Sequence, residues 1–109
     1  MNQDRAYMLL GLAKRAGRIA AGEFMTEKSV KGGRSALCIV AKDASDNTKK
    51  NFKDMCDYYE VDYAEYGDKD GLGHATGTQM RASVSVNDEG FAKKLKEILA
   101  ENSAQDKKD

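Results

Sequence analysis

Residues 36–41, Ala-Leu-Cys-Ile-Val-Ala, form an apolar run with no polar interruption. A strand with one face in water alternates, whereas a continuous run fits a central strand covered on both faces. The rest of the chain must therefore supply apolar cover above and below it. Leu9, Leu12, Ala13 and Ala16 fall at helical spacing and predict a first helix over residues 3–16, ended by Gly17. Residues 18–21 leave room for a short extended piece, and residues 23–31 for a second helix stopped by Gly32-Gly33. Side-chain oxygens in Asp43-Ala44-Ser45-Asp46 can cap a third helix, whose Phe52, Met55, Cys56 and Tyr59 repeat the same spacing as a stripe packed on the sheet. Residues 61–66 alternate and read as a half-covered or edge strand, followed by a short helix over 69–76. Residues 82–86 are a second apolar strand, and Asn87 or Asp88 can cap a last helix carrying Phe91, Leu95, Ile98 and Leu99 on one face. Strands alternating with helices at such short intervals predict an α/β fold: a three-layer α/β/α sandwich around a small mixed sheet. The domain is expected over residues 1–100, with 101–109 a polar, frayed tail.

At 109 residues, with 40% hydrophobic against 33% charged side chains, the chain has material for one globular core. No apolar run reaches the roughly 18 residues needed to span a bilayer, and Met1-Asn2-Gln3-Asp4-Arg5 lacks a cationic segment followed by an apolar one. A cytoplasmic protein with no membrane partner is expected. Cys38 and Cys56 both sit in apolar patterns and are read as buried free thiols, with a disulfide as the lesser alternative.

Eighteen basic and eighteen acidic residues cancel, which argues against a strongly basic nucleic-acid binder. The distribution is uneven, however. Residues 1–34 hold seven Lys/Arg against three acids, a net +4, while 35–66 carry −3 and the remainder −1. Any anion-binding surface belongs near the N-terminal third.

Catalytic constellations are missing. His74 is the only histidine, lies far in sequence from either cysteine, and reads as exposed and non-catalytic. Asp54, Asp57 and Glu60 read as solvated positions around the third helix. Gly71-Leu72-Gly73-His74-Ala75-Thr76-Gly77 has the glycine content of a dinucleotide loop, but its last glycine is one position late and too little chain follows. No phosphate-loop Gly-Lys-Ser/Thr is present either. Neither an enzyme, a metal site nor a small-molecule cofactor is indicated. What remains is residues 22–28, where Gly22 opens a helix carrying Lys28 and Lys31 and ending near Arg34. Unpaired N–H groups at a helix start can seat a phosphate. Taken alone, a solvated helix with ordinary lysines is the simpler reading of that segment.

The order Gly22, Lys28, Leu37, Ala41, Asp43, then Leu72-Gly73-x-Ala75-x-Gly77, resembles the ribosomal L-seven-Ae family of kink-turn RNA-binding proteins. Residues 11–18, Gly-Leu-Ala-Lys-Arg-Ala-Gly-Arg, and Asp43-Ala44-Ser45-x-Asn47-Thr48-x-Lys50 look like its small bacterial, YlxQ-type branch. The resemblance covers about residues 5–100. It implies an α/β/α sandwich that grips a sharply bent RNA, in which sheared G·A pairs flank a bulge with extruded nucleotides, and catalyses no reaction.

Carried over by position, the family's glycine before the recognition helix is Gly22 and its lysine one turn on is Lys28. Lys31 and Arg34 extend that basic helix. Glu23, Phe24 and Met25 lie between, and Phe24 and Met25 stand where the family pattern has Asn and Glu. A phenyl ring and a thioether cannot replace an amide and a carboxylate as hydrogen-bonding partners, although Phe24 can stack on a base or face the core. Lys42 and Asp43 occupy the place of the family's acidic pair near the RNA. Gly77, Thr78, Gln79, Met80 and Arg81 correspond to the segment that cradles an extruded nucleotide. The implied partner is a kink-turn-like RNA of ribosomal class. The alternative, favoured by the neutral charge and the missing Asn-Glu pair, is a protein partner bound by an adaptor on the same fold.

Overall fold

A computed structural model describes residues 4–107, with side chains as far as Glu101. The elements follow in the order α1 (Arg5–Arg15), β1 (Ile19–Ala21), α2 (Glu23–Lys31), β2 (Leu37–Val40), α3 (Asp46–Tyr59), β3 (Asp62–Glu65), α4 (Lys69–Ala75), β4 (Ser83–Val86) and α5 (Glu89–Lys107). The expected start of the first helix at residue 3, and residues 108–109 of the expected tail, lie outside the described residues.

The apolar run becomes β2, and all four of its residues are buried, as are all four of β4. Sheet order is β1-β4-β2-β3. β2 pairs in parallel with the edge strand β3, while β4 runs antiparallel to both β1 and β2, so the sheet is mixed. The register sets Leu37 opposite Val86 and Val40 opposite Ser83. Bonds from Ala36 N to Val86 O and from Ala41 N to Ala82 O, both 2.8 Å, carry the pairing one residue further at each end. α2 and α3 pack together over one face, and α1, α4 and α5 form the other layer. Leu10, Ile39, Leu72, Val84 and Leu95 are among the fully buried side chains between them. The expected sandwich is the observed one.

One local expectation is corrected. The buried stripe of α1 is Ala6, Leu10 and Ala13, whereas Leu12 is 48% exposed and Ala16 is the exposed C-cap. Two overlapping stripes fit helical spacing in this segment. The choice is fixed by contacts that spacing does not contain, including Gly11, where a β-carbon would lie only 3.4 Å from Ala75 O of α4. At the start of α3 the expected capping segment supplies Ser45, which accepts from Thr48 N, while Asp43 serves another helix. The last helix, α5, extends to Lys107. Its stretch over residues 100–107 contains neither Gly nor Pro and has Ala100, Glu101, Ala104, Gln105 and Lys107, all good helix formers. Its N-cap is Asp88, which accepts from Phe91 N at 2.9 Å, whereas Asn87 donates to Ser29 Oγ at 3.1 Å.

Both cysteines are free and buried, as expected. A hydrogen bond with Cys56, together with burial, pushes the Cys38 thiol far above its ordinary range. Among the described residues no helix is long and apolar enough to cross a membrane, and no cluster of His, Cys, Asp and Glu could hold a metal ion.

The glycine-rich α4 is explained by packing. A β-carbon at Gly73 would fall inside the Gln79 carbonyl, and one at Gly67 or Gly71 would fall inside the Tyr7 hydroxyl. Gly73→Ala must push backbone against backbone, so it is expected to destabilise the domain by roughly 1–3 kcal/mol in urea unfolding.

Candidate nucleic-acid interface

Because β4 runs against its neighbours, its start lies beside the ends of the other strands. Gly22 follows β1, Lys42-Asp43 follow β2, residues 67–69 follow β3, and Met80-Arg81 lead into β4. Four loops remote in sequence thus share one end of the sheet, the usual place for a ligand in α/β folds.

They are also bonded to one another. Gly22 N donates to Ser83 O at 2.9 Å and Lys42 N to Gly67 O at 2.8 Å. Lys69 N donates to Asp43 Oδ1 at 2.9 Å, and Arg81 N donates to Lys69 O at 3.0 Å. Asp68 caps α4 through Gly71 N, and Tyr7 OH accepts from Asp68 N at 3.2 Å. Tyr7, which no motif in the sequence points to, is therefore a prop under the loop; the only signal for it is the glycine at 67 and 71.

At the centre of this end is the start of α2. Gly22 is its N-cap, at φ +96° and ψ 157°, a region open to glycine, and no side chain caps the first turn. The place a β-carbon would occupy on Gly22 is 3.6 Å from Arg81 Cδ and Nε, so the guanidinium lies directly over the helix start. Arg81 Nε is buried and has no hydrogen-bond partner among the described residues; neither do Thr26 Oγ1 of α2 and Ser83 Oγ of β4. Partial charge from the α2 backbone and full charge from Arg81 add at the same point.

Three acids at this end accept hydrogen bonds, while Asp70 of α4 is exposed. Glu23 accepts from Thr48 Oγ1 at 3.2 Å, while Asp43 and Asp68 accept the backbone bonds given above. Phe24, Met25 and Met80 are exposed, at 75%, 42% and 54%. Gly77 turns the chain at φ +75°, and Thr78 N returns to Gly73 O at 2.8 Å, presenting Gln79 and Met80 outward. Beside this loop a groove of about 530 Å³ is lined by Tyr7, Asp70, His74, Thr78 and Met80 among others. His74 is exposed there, while Cys38 and Cys56 are sealed in the core, so no thiol stands within reach of the imidazole.

The structure thus gathers Gly22, Glu23, Phe24, Met25, Lys42, Asp43, Gly77, Thr78, Gln79, Met80 and Arg81 at one end. Lys28 is exposed one turn along α2. Lys31 and Arg34 are not part of the cluster: α2 leads away from it, and Arg34 precedes β2 at the opposite end of the sheet. Lys31 is held by Glu27 at 2.7 Å.

Residues 4–96 match the Ribosomal protein L7Ae/L30e/S12e/Gadd45 family. The chain belongs to this family. Two relatives, each described as RNA-binding protein YlxQ, are similar to it. That of Bacillus subtilis (strain 168) is 40% identical over 93 residues, covering 85% of this chain and 93% of its own. That of Enterococcus faecium is 40% identical over 102 residues, covering 90% and 94%. Among solved structures, a protein of unknown function from Bacillus halodurans C superimposes with a TM-score of 0.86 at 35% identity, covering 90% of this chain and 99% of its own. The Giardia lamblia 15.5kD RNA binding protein shares the L7Ae-type fold, with a TM-score of 0.74 at 21% identity, covering 95% and 92%.

In this L7Ae-family chain the Tyr7 prop gives the loop end a pH dependence. Burial raises the Tyr7 hydroxyl above its ordinary 10.0; the bond from Asp68 N opposes the rise, and the charges of Asp68, Asp4 and Asp43 reinforce it. The folded state thus retains a proton that the unfolded chain loses, so this stabilisation is whole below pH 10.0 and is lost as pH climbs above it. Urea unfolding between about pH 9 and 11 is expected to show a steeper alkaline loss for the wild type than for Tyr7→Phe.

Proposed function

We propose that this protein binds RNA without altering it chemically, and that the end of the sheet around Gly22 and Arg81 holds a kink-turn or similarly bent motif. The observation that carries this reading is the Arg81 guanidinium laid over the uncapped start of α2. A sharp bend crowds phosphates, and that crowding is relieved by fixed cations and N–H donors. Membership of the L7Ae family, and the RNA-binding names of the YlxQ relatives, support the same reading. The RNA moves toward its bent form only as far as the protein prefers that form, so selectivity for the bend is the quantity to measure.

A gel shift against a kink-turn RNA and the same RNA with its G·A pairs disrupted tests this directly. Tight binding to the first and weak binding to the second is expected; equal, weak binding to both removes the claim. Lys28→Ala and Arg81→Ala are expected to weaken binding and to reduce the slope of log K against log salt by about 0.7–0.9 for each phosphate that is no longer neutralised. An unchanged slope eliminates that residue as a phosphate ligand.

The exposed Phe24, Met25 and Met80 support a second reading, in which the same end docks a protein and the domain acts as an adaptor. Under it, the purified protein carries no nucleic acid and captures a partner that survives nuclease treatment.

A further inference from the structure

The first helix is apolar on two sides. Ala6, Leu10 and Ala13 of α1 face the core, while Met8 and Leu12 form a second stripe on its outside, 58% and 48% exposed. Arg5, Met8, Leu12 and Arg15 follow one another at intervals of three, four and three residues, the spacing of a seam along one side of a helix. The sheet covers the first stripe. Nothing among the described residues covers the second.

Beside this seam lies α5. A groove of about 200 Å³ opens between the two helices, lined by Arg5, Met8, Leu9 and Leu12 of α1 and by Lys94 and Ile98 of α5. An ion pair of 3.0 Å from Arg5 to Glu101 ties the helices together at one end, and no acid is among the lining side chains. Lys94 in the groove and Arg15 at the far end of the seam are exposed, and neither makes an ion pair among the described residues.

From Arg5 to Arg15 the seam runs about 15 Å, some three turns of a helix. What covers it must be apolar along one stripe and acidic beside it. Nucleic acid would meet the cations but would find no ring to stack on: the large exposed aromatic side chains, Phe24, Tyr58 and Tyr59, belong to α2 and α3 on the other face of the sheet. A second copy of the chain would set this cationic rim against an identical one.

We infer that the groove between α1 and α5 docks an amphipathic helix of a partner protein, its apolar stripe laid over Met8 and Leu12 and its acidic side chains paired with Lys94 and Arg15. None of these residues belongs to the Gly22 and Arg81 end. The inference therefore goes beyond the RNA-binding reading and stands without it.

The test uses three synthetic peptides of about 15 residues, each with the same leucine stripe at helical spacing and with flanking positions that are all Glu, all Gln or all Lys. Binding is followed by the amide shifts of the isotope-labelled protein. The Glu peptide is expected to move the amides of residues 5–15 and 94–98 and to bind about 2- to 30-fold more tightly than the Gln peptide, the gain from two exposed ion pairs, with the Lys peptide weakest. The double change Arg15→Glu with Lys94→Glu should invert that order. Leu12→Gln, at an exposed position, should weaken all three peptides while leaving the urea midpoint near that of the wild type. Kink-turn RNA should leave these amides unmoved and bind equally well with the Glu peptide in place. The inference is overturned if no peptide binds at the groove, or if the charge-reversed variant keeps the wild-type order. Movement of the same amides by RNA alone would assign the face to nucleic acid, and dimerisation abolished by Leu12→Gln would assign it to a second copy; either result overturns the partner helix. Failure of kink-turn RNA to bind, with the peptide order intact, overturns the RNA reading and leaves this one standing.

Discussion

The pairing of β4 antiparallel between β1 and β2 is the arrangement from which the rest of this molecule follows. Were β4 parallel to its neighbours, Arg81 would enter the sheet at the end away from Gly22, and the guanidinium could not lie over the start of α2. As built, every loop the family resemblance singles out, apart from the far end of α2, reaches the same end. Register is pinned by β4, whose buried residues alternate between Ser and Val: a slip of one residue would exchange Ser83 and Ser85 for Val84 and Val86 on the two faces of the sheet.

The loops at that end are fixed mostly by backbone bonds and by missing side chains. Asp43 and Lys69 bond across from one loop to the next, and Lys69 in turn accepts from Arg81 N. Tyr7 fills the space left by Gly67 and Gly71, and Gln79 the space left by Gly73. A surface held in this way loses little conformational freedom when a ligand arrives, which favours affinity without any larger interface. The exposed apolar groups Phe24, Met25 and Met80, by contrast, are side chains projecting from this framework.

Much of the architecture was legible in the sequence because burial and period are written locally. The run at residues 36–41 specifies a covered strand whatever surrounds it, and the alternation at 61–66 specifies an edge. What was illegible depended on contacts between distant residues. Leu12 and Leu10 are equivalent to a periodicity argument, and only the approach of α1 to α4 decides which is buried. Asp43 looked like a cap for the helix beside it, yet it serves α4, 26 positions away. Gly73 belonged to a recognisable motif, but its reason, the Gln79 carbonyl, is visible only once the following turn is in place. In the site, Gly22, Lys28 and Arg81 could be named from the resemblance. The separation of Lys31 and Arg34 from them could not, since it depends on where α2 points.

The two sulfurs at the heart of the sheet have a use of their own. Cys38 lies on β2 and Cys56 on the helix above it, and each is at most 1% exposed. A thiol reagent must wait for the strand or the helix to come away before it can react. Their modification rate is thus a built-in clock for the opening of the central layer, readable by mass without any label being introduced.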